Sequence, residues 1–271
     1  MSATIVNIQF LIRSLQEGRM QDALVVGASR GIGFGFVQHL LNQESIDHVY
    51  ATYRKAESAA PLLSLAQQYG DRLTCIELEI TDEDQIIRCL QQVAAGLKAG
   101  DRQLGWVINC VGMLHQGDLQ PEKSLRQINA EQLTTYFQVN SIGSILLAKH
   151  LATLIKTTDR VIFATISAKV GSITDNQLGG WYGYRASKAA LNMFMRSIAI
   201  EYRRTCKGAI VVVLHPGTTE TDLSEPFRRG VPPEKLFSID RSVGQLMNVM
   251  NGLRPEDSGE FFSWDGTQLP W

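Results

Sequence analysis

The sequence predicts a single doubly wound α/β domain, a seven-stranded parallel sheet with helices on both faces. Three observations predict it. Short runs rich in Val and Ile alternate with longer helical patterns from Met20 to the C-terminus. The runs are apolar throughout rather than at every second position, as in a parallel sheet covered on both sides. A glycine cluster follows the first run directly and opens the first helix, where a βαβ unit places its ligand turn. The 271 residues fit one domain, since single α/β domains reach ~250 residues.

The elements follow in order. The run Ala23-Leu24-Val25-Val26-Gly27 predicts a strand over 23–27, and helical spacing follows over 33–42. The apolar and β-branched runs at 48–53, 73–78, 105–110, 160–166 and 209–214 predict five more strands,. Between them, helical patterns cover 58–69, 83–96, 130–155 and 181–204, and a last helix over 241–253 leads to a short strand at 260–263. Right-handed crossovers then give the strand order 3-2-1-4-5-6-7, with a ligand crevice at the C-terminal strand ends. We find no repeat, linker or low-complexity stretch. The loop 218–238 is rich in Pro, Arg and Gly. It follows the sixth strand, where a substrate lid would sit.

Residues 1–19 stand apart as an N-terminal extension. Their apolar run, 5–12, is broken by Asn7 and Gln9 and has neither a basic stretch before it nor an A-x-A site after it, a poor signal peptide. A loose tail or a start placed too far upstream is expected, with a docked helix as the alternative.

Composition narrows the function. Lys+Arg total 26 against Asp+Glu 27, a net charge of −1, which argues against nucleic acid as the main partner. No apolar run approaches the ~18 residues of a membrane helix. Cys75, Cys89, Cys110 and Cys206 form no C-x-x-C pair and are expected to be reduced and structural, in the cytoplasm. The five histidines show no metal-ligand spacing, so no metal is expected.

Three motifs carry chemistry. Gly27-Ala28-Ser29-Arg30-Gly31-Ile32-Gly33 lets the backbone approach a pyrophosphate, whose charge meets the helix N-terminus. After the second strand, Arg54 and Lys55 stand where an NAD site offers a carboxylate, and Arg30 adds a third cation. Cations there suit the 2′-phosphate of NADP. Finally, Tyr184 and Lys188 lie four apart at the head of a helix, on one face. A nearby ammonium favours phenolate and so lowers a tyrosine pKa toward acid–base use.

From Met20 to Trp271 the ordered set of motifs resembles the short-chain dehydrogenases/reductases. The landmarks are Gly27–Gly33, Asn109-Cys110-Val111-Gly112, Asn140, the Tyr184/Lys188 pair and Pro216-Gly217. The stretch 179–188 and the ending 265–271 resemble the C-factor and sniffer-type carbonyl reductase subgroup. The resemblance implies a Rossmann-like fold and NADPH-dependent reduction of a small-molecule carbonyl to an alcohol. It implies that Tyr184 is the acid, that Lys188 lowers its pKa and holds the nicotinamide ribose, and that Asn140 supports a proton-relay water. Asn109, Gly112, Glu79 and Ile80 would flank the adenosine. Pro216, Gly217 and Thr218 would flank the nicotinamide. A homodimer or homotetramer is implied as well.

One position departs from the family. Its catalytic serine precedes the glycine matching Gly171 by three residues, and Ala168 stands there. Ser167, one residue earlier, and Ser172 are the candidates for the second donor. The departure keeps a rival open: an NAD(P)-binding, C-factor-like signalling protein with little turnover. A sugar-nucleotide epimerase is disfavoured by the short C-terminal region. Met113, Leu114, His115, Trp181, Tyr182, Phe227 and Phe237 are candidates for a substrate wall, with core or dimer packing as the alternative for Phe227 and Phe237.

Overall fold

The structure, a computed structural model, describes residues 21–156 and 158–271. The expectations for the extension 1–19 lie outside the described residues. The first half of the fold alternates β1 (Gln21–Val26), α1 (Gly31–Leu41), β2 (Ile46–Tyr53), α2 (Ala60–Tyr69), β3 (Leu73–Glu77), α3 (Glu83–Ala99) and β4 (Gln103–Asn109). The second continues with α4 (Ala130–Phe137), α5 (Gly143–Ile155), β5 (Val161–Ile166), α6 (Tyr182–Thr205) and β6 (Ala209–His215). A two-stranded pair, β7 (Thr218–Thr219) and β8 (Leu236–Phe237), precedes α7 (Ile239–Asn251) and β9 (Phe261–Ser263).

The main sheet has seven strands in the order β3-β2-β1-β4-β5-β6-β9, and every neighbouring pair is parallel. This is the predicted order, with β9 as the seventh strand. Alternation along each strand divides the core in two. On one face Leu24, Val26, Phe163, Val211 and Val213 pack with Leu90 of α3, Leu151 of α5 and Met195 of α6. On the other, Ala23, Val25, Ile162, Ile210 and Val212 pack with Phe36 of α1, Leu62 of α2 and Leu246 of α7. Both faces being buried explains why the strands read as continuous apolar runs.

Local chemistry sets the helix ends. Asp82 caps α3 by accepting from Gln85 N. Asn129 caps α4 by accepting from the N–H groups of Glu131 and Gln132. Ser238 caps α7 by accepting from Arg241 N, so that helix starts before the predicted residue 241. The single helix predicted over 130–155 is instead α4 and α5 joined by a π-helical turn, Gln138–Ile142. Asn140, fully buried at its centre, turns inward there, and inserted π turns often mark functional sites. At Gly143 a Cβ would meet Ile80 O at 2.8 Å, so only glycine lets α5 start against the turn that follows β3. Among the described residues no helix is long and apolar enough to cross a membrane.

Candidate active site

The candidate site lies at the C-terminal ends of β1 and β4, where the connections run to opposite faces of the sheet,. Gly27 and Gly31 have φ of +79° and +57°, left-handed values that favour glycine. At Gly33 a Cβ would lie 2.1 Å from Gly27 O, so no side chain fits between turn and helix. Thr52 fixes the turn from β2: its Oγ accepts from Gly27 N at 3.0 Å and its carbonyl from Ala28 N at 2.7 Å. No side chain caps the N-terminus of α1, which leaves its first N–H groups available to an anion. Ser29 and Ile32 are half-buried at the same turn, and Arg30, Arg54 and Lys55 are exposed around it. A glycine cradle, a helix N-terminus and a rim of cations fit a dinucleotide phosphate.

The far side of the site is a buried polar network. Asn109 donates to Ser144 Oγ at 2.8 Å and accepts from Val111 N at 3.1 Å, fixing the turn after β4. Asn140 accepts from Met113 N at 2.7 Å and donates to Met113 O and to Ser187 Oγ. Its carboxamide therefore pins the segment after β4 to α6. Lys188 Nζ, buried, donates to Ile166 O at 3.1 Å and lies 6.0 Å from the centre of the Tyr184 ring. A Cβ at Gly112 would lie 3.3 Å from that ammonium.

Burial pushes the Tyr184 phenol up and the Lys188 ammonium down, to about 8. Lys188 Nζ is the cation beside the phenol, and a neighbouring cation favours phenolate and opposes this effect of burial. Glu79, beside buried Ile80, accepts from the N–H and hydroxyl of Thr81. Its carboxylate is thus held at its own turn.

An apolar enclosure surrounds Tyr184. Met113, Leu114 and Tyr136 are buried with it, and Trp181, Ala168, Val170, Leu223 and Phe227 pack against them. Trp181 stands edge-on to both Tyr184 and Phe227, at 6.2 and 4.8 Å between ring centres. His115 meets Phe227 at 5.9 Å and Asp222 O at 3.1 Å. The loop 218–238 therefore supplies part of the wall. Its other end reaches the glycine turn, where Asp222 pairs with Arg30 at 2.9 Å and Thr221 Cγ2 lies 3.2 Å from a Cβ built on Gly31. Phe237 lies apart from the enclosure, packed on Trp264 at 4.8 Å and under Arg241 at 3.8 Å. It also fills the space beside Gly217. Tyr182 is half-buried outside the enclosure. Pro216 O accepts from Thr219 and Ser242, holding the start of the loop beside half-buried Thr218.

Residues 21–231 match the family described as short chain dehydrogenase. The chain belongs to the short chain dehydrogenase family. It is 34% identical to the C-signal of Myxococcus xanthus over 148 residues, 55% of this chain and 84% of that protein. Among solved structures it is similar to an NADPH-bound carbonyl reductase from chicken fatty liver. That match has a TM-score of 0.83 and 31% identity, covering 93% of this chain and 95% of the other. It is also similar to the carbonyl reductase Sniffer of D. melanogaster, with a TM-score of 0.80 and 26% identity over 94% of this chain and all of the other.

Ser167, one candidate for the second donor, turns toward α6. Ser167 Oγ is buried and donates to Asn192 Oδ1 on α6 at 2.8 Å. Ala168 faces the enclosure in its place. The strand end has not bent to re-aim Ser167, because Asn192 holds it. Ser172, also buried, accepts from Asp175 N at 3.1 Å. The sequence reading missed four contributors to this short chain dehydrogenase site: Glu122, Tyr136, Ser187 and Asn192. Ser187 lies inside the Tyr184–Lys188 motif. Asn192 follows one turn later, on the face that carries Lys188. Glu122 sits in a polar loop segment and gave no signal.

Proposed function

We propose that this chain is an NADPH-dependent reductase that converts a small-molecule carbonyl to an alcohol. The observation that carries the reading is the pairing of buried Tyr184 and Lys188 at the floor of an apolar enclosure next to a glycine cradle. The likeness to carbonyl reductases, one of them NADPH-bound, supports it.

The turn Gly27, Ser29, Arg30, Gly31, Ile32 and Gly33 would hold the pyrophosphate. Arg30, Arg54 and Lys55 would meet the 2′-phosphate. Asn109, Gly112, Glu79 and Ile80 would flank the adenosine, and Pro216, Gly217 and Thr218 the nicotinamide. When bound there, NADPH would supply the hydride for the carbonyl carbon. Tyr184 gives its Oη proton to the carbonyl oxygen. Lys188 would stabilise the phenolate left behind, which is what makes the phenol a usable acid. Asn140 keeps the wall at Met113 in place. Leu223 and Phe227, brought by the loop 218–238, exclude water from the reacting carbonyl.

Exposed Ile142, Met193 and Ile200 lie on the π turn and α6, and they support a homodimer or homotetramer built on those elements. The reductase reading is tested by following NADPH and NADH oxidation against a panel of aldehydes, ketones and quinones. Turnover with NADPH is expected. A second reading, a C-signal-like protein that binds NAD(P) with little turnover, is favoured by Ala168 at the serine position. Tight NADPH binding without turnover across the panel would select it.

A further inference from the structure

Glu122 is a carboxylate in the loop between β4 and α4, yet it is only 1% exposed. It meets the head of α6 twice. Its backbone carbonyl accepts from Trp181 N, and its Oε2 accepts from Gly183 N at 3.1 Å. Oε1 is buried without a hydrogen-bond partner among the described residues. The first N–H groups of a helix have no partner inside the helix, and no side chain of α6 itself caps this one. Glu122 therefore supplies the cap from another part of the chain, with the charge that a helix N-terminus favours.

The contact is tight on both sides. A Cβ on Gly183 would lie 2.5 Å from Tyr136 Cδ2 and 2.9 Å from Glu122 Oε1. Gly183 is thus wedged between the carboxylate and the Tyr136 ring. That ring is anchored in turn by its hydroxyl, which donates to Leu114 O at 2.7 Å. The chain enters α6 through Gly179, Gly180 and Trp181, with φ of +65°, +66° and +51°. Such a conformation in a tryptophan costs free energy and persists only where its surroundings fix it. Tyr184 is the next residue after Gly183, so the Glu122 clamp sets where the phenol stands. A buried carboxylate with an unpaired oxygen is an expensive way to stabilise a loop. Its placement is better explained by what it orients.

We infer that Glu122 is a positioning residue for the proposed reduction: it locks the N-terminus of α6 so that the Tyr184 hydroxyl and the Trp181 wall meet the carbonyl together. The inference rests on the reductase reading. The clamp lies at the head of α6, apart from the glycine cradle on β1 and α1, so its loss should cost rate far more than cofactor affinity.

The test compares Glu122→Ala, Glu122→Asp, Glu122→Gln and wild type in the full chain. Readouts are NADPH affinity by fluorescence, and kcat and KM for the panel carbonyl that wild type reduces fastest. Glu122→Ala should lower kcat by about tenfold to a hundredfold, on the scale of a misplaced reacting group. Its NADPH affinity should change less than about threefold. Glu122→Gln keeps an oxygen acceptor for Gly183 N and should recover most of kcat. Glu122→Asp, one methylene short, should show the loss without unfolding, and it substitutes for the alanine variant if that one fails to fold. A wild-type kcat in Glu122→Asp and Glu122→Ala would overturn the inference. So would equal losses in kcat and NADPH affinity. Absence of turnover in wild type itself would instead defeat the reductase reading. Crystal structures of wild type and Glu122→Asp would then decide, and an unmoved Tyr184 ring would overturn the clamp.

Discussion

Ser167 Oγ donates a hydrogen bond to Asn192 Oδ1 at 2.8 Å while its N–H donates to Leu214 O, and together these fix which residue of the strand end faces the phenol. Successive side chains on an extended segment point to opposite sides. With Ser167 fixed toward α6, Ala168 faces the enclosure around Tyr184.

Ser167→Ala should therefore reduce stability rather than rate. It leaves Asn192 Oδ1 without this donor, at about 1–3 kcal/mol. The variant should melt several degrees lower, with kcat within about threefold of wild type. Ala168→Ser places a hydroxyl beside the reacting oxygen and should raise kcat by about tenfold or more, since one such donor has been worth ~10²–10³ elsewhere. Steady-state kinetics and thermal melts separate the two. A large rate loss in Ser167→Ala at unchanged melting temperature would contradict this assignment.

Removing the phenol oxygen deletes only the proton donor. Tyr184→Phe should nearly abolish turnover, a loss of about 10³ or more, and leave NADPH binding within about threefold. Lys188→Ala should weaken both, because Lys188 Nζ holds Ile166 O at 3.1 Å and borders Gly112. Retained activity in Tyr184→Phe would refute the acid.

Cofactor preference should follow the rim of cations. A charged hydrogen bond to the 2′-phosphate is worth about 1.5–3 kcal/mol. Arg54→Asp should weaken NADPH at least about tenfold and reduce or reverse its advantage over NADH. Arg30 is paired with Asp222, both largely exposed, and such pairs are weak. Asp222→Asn should consequently tighten NADPH by at most about fivefold. Fluorescence titration with both dinucleotides measures each effect; equal wild-type affinities would sink the assignment.

At the opposite end of the sheet Asp22 is fully buried. Burial outweighs Arg102, 3.2 Å away, and pushes the carboxyl from 3.8 to about 6. The native state thus holds its proton more tightly than the unfolded chain. Its contribution to stability is full below pH 3.8 and is lost as pH rises through about 6,. Asp22→Asn should raise the melting temperature at pH 7–8 by several degrees, with the gain shrinking toward pH 4. A gain that is constant across this range would disprove the linkage.

The alternation of apolar runs and helical patterns was enough to determine the sheet. Residues buried on both faces, such as Val25 and Val211, leave a continuous apolar signature that any sequence reading detects. The glycine turn was legible for a related reason. Gly27 and Gly33 are demanded by backbone sterics within one seven-residue segment, so the requirement is written locally. Tyr184 and Lys188 share one helical face by spacing alone.

What the sequence left open depended on partners distant along the chain. The break at Gln138–Ile142 arises where Asn140 bonds to Met113 and Ser187, 27 and 47 residues away. The orientation of Ser167 depends on Asn192, 25 residues on. The cap that Glu122 lends to Gly183 spans 61 residues. Periodicity reports which face of an element is apolar. It carries no information about which buried polar atoms meet once the elements pack, and in this site those meetings fix where the phenol and its neighbours stand.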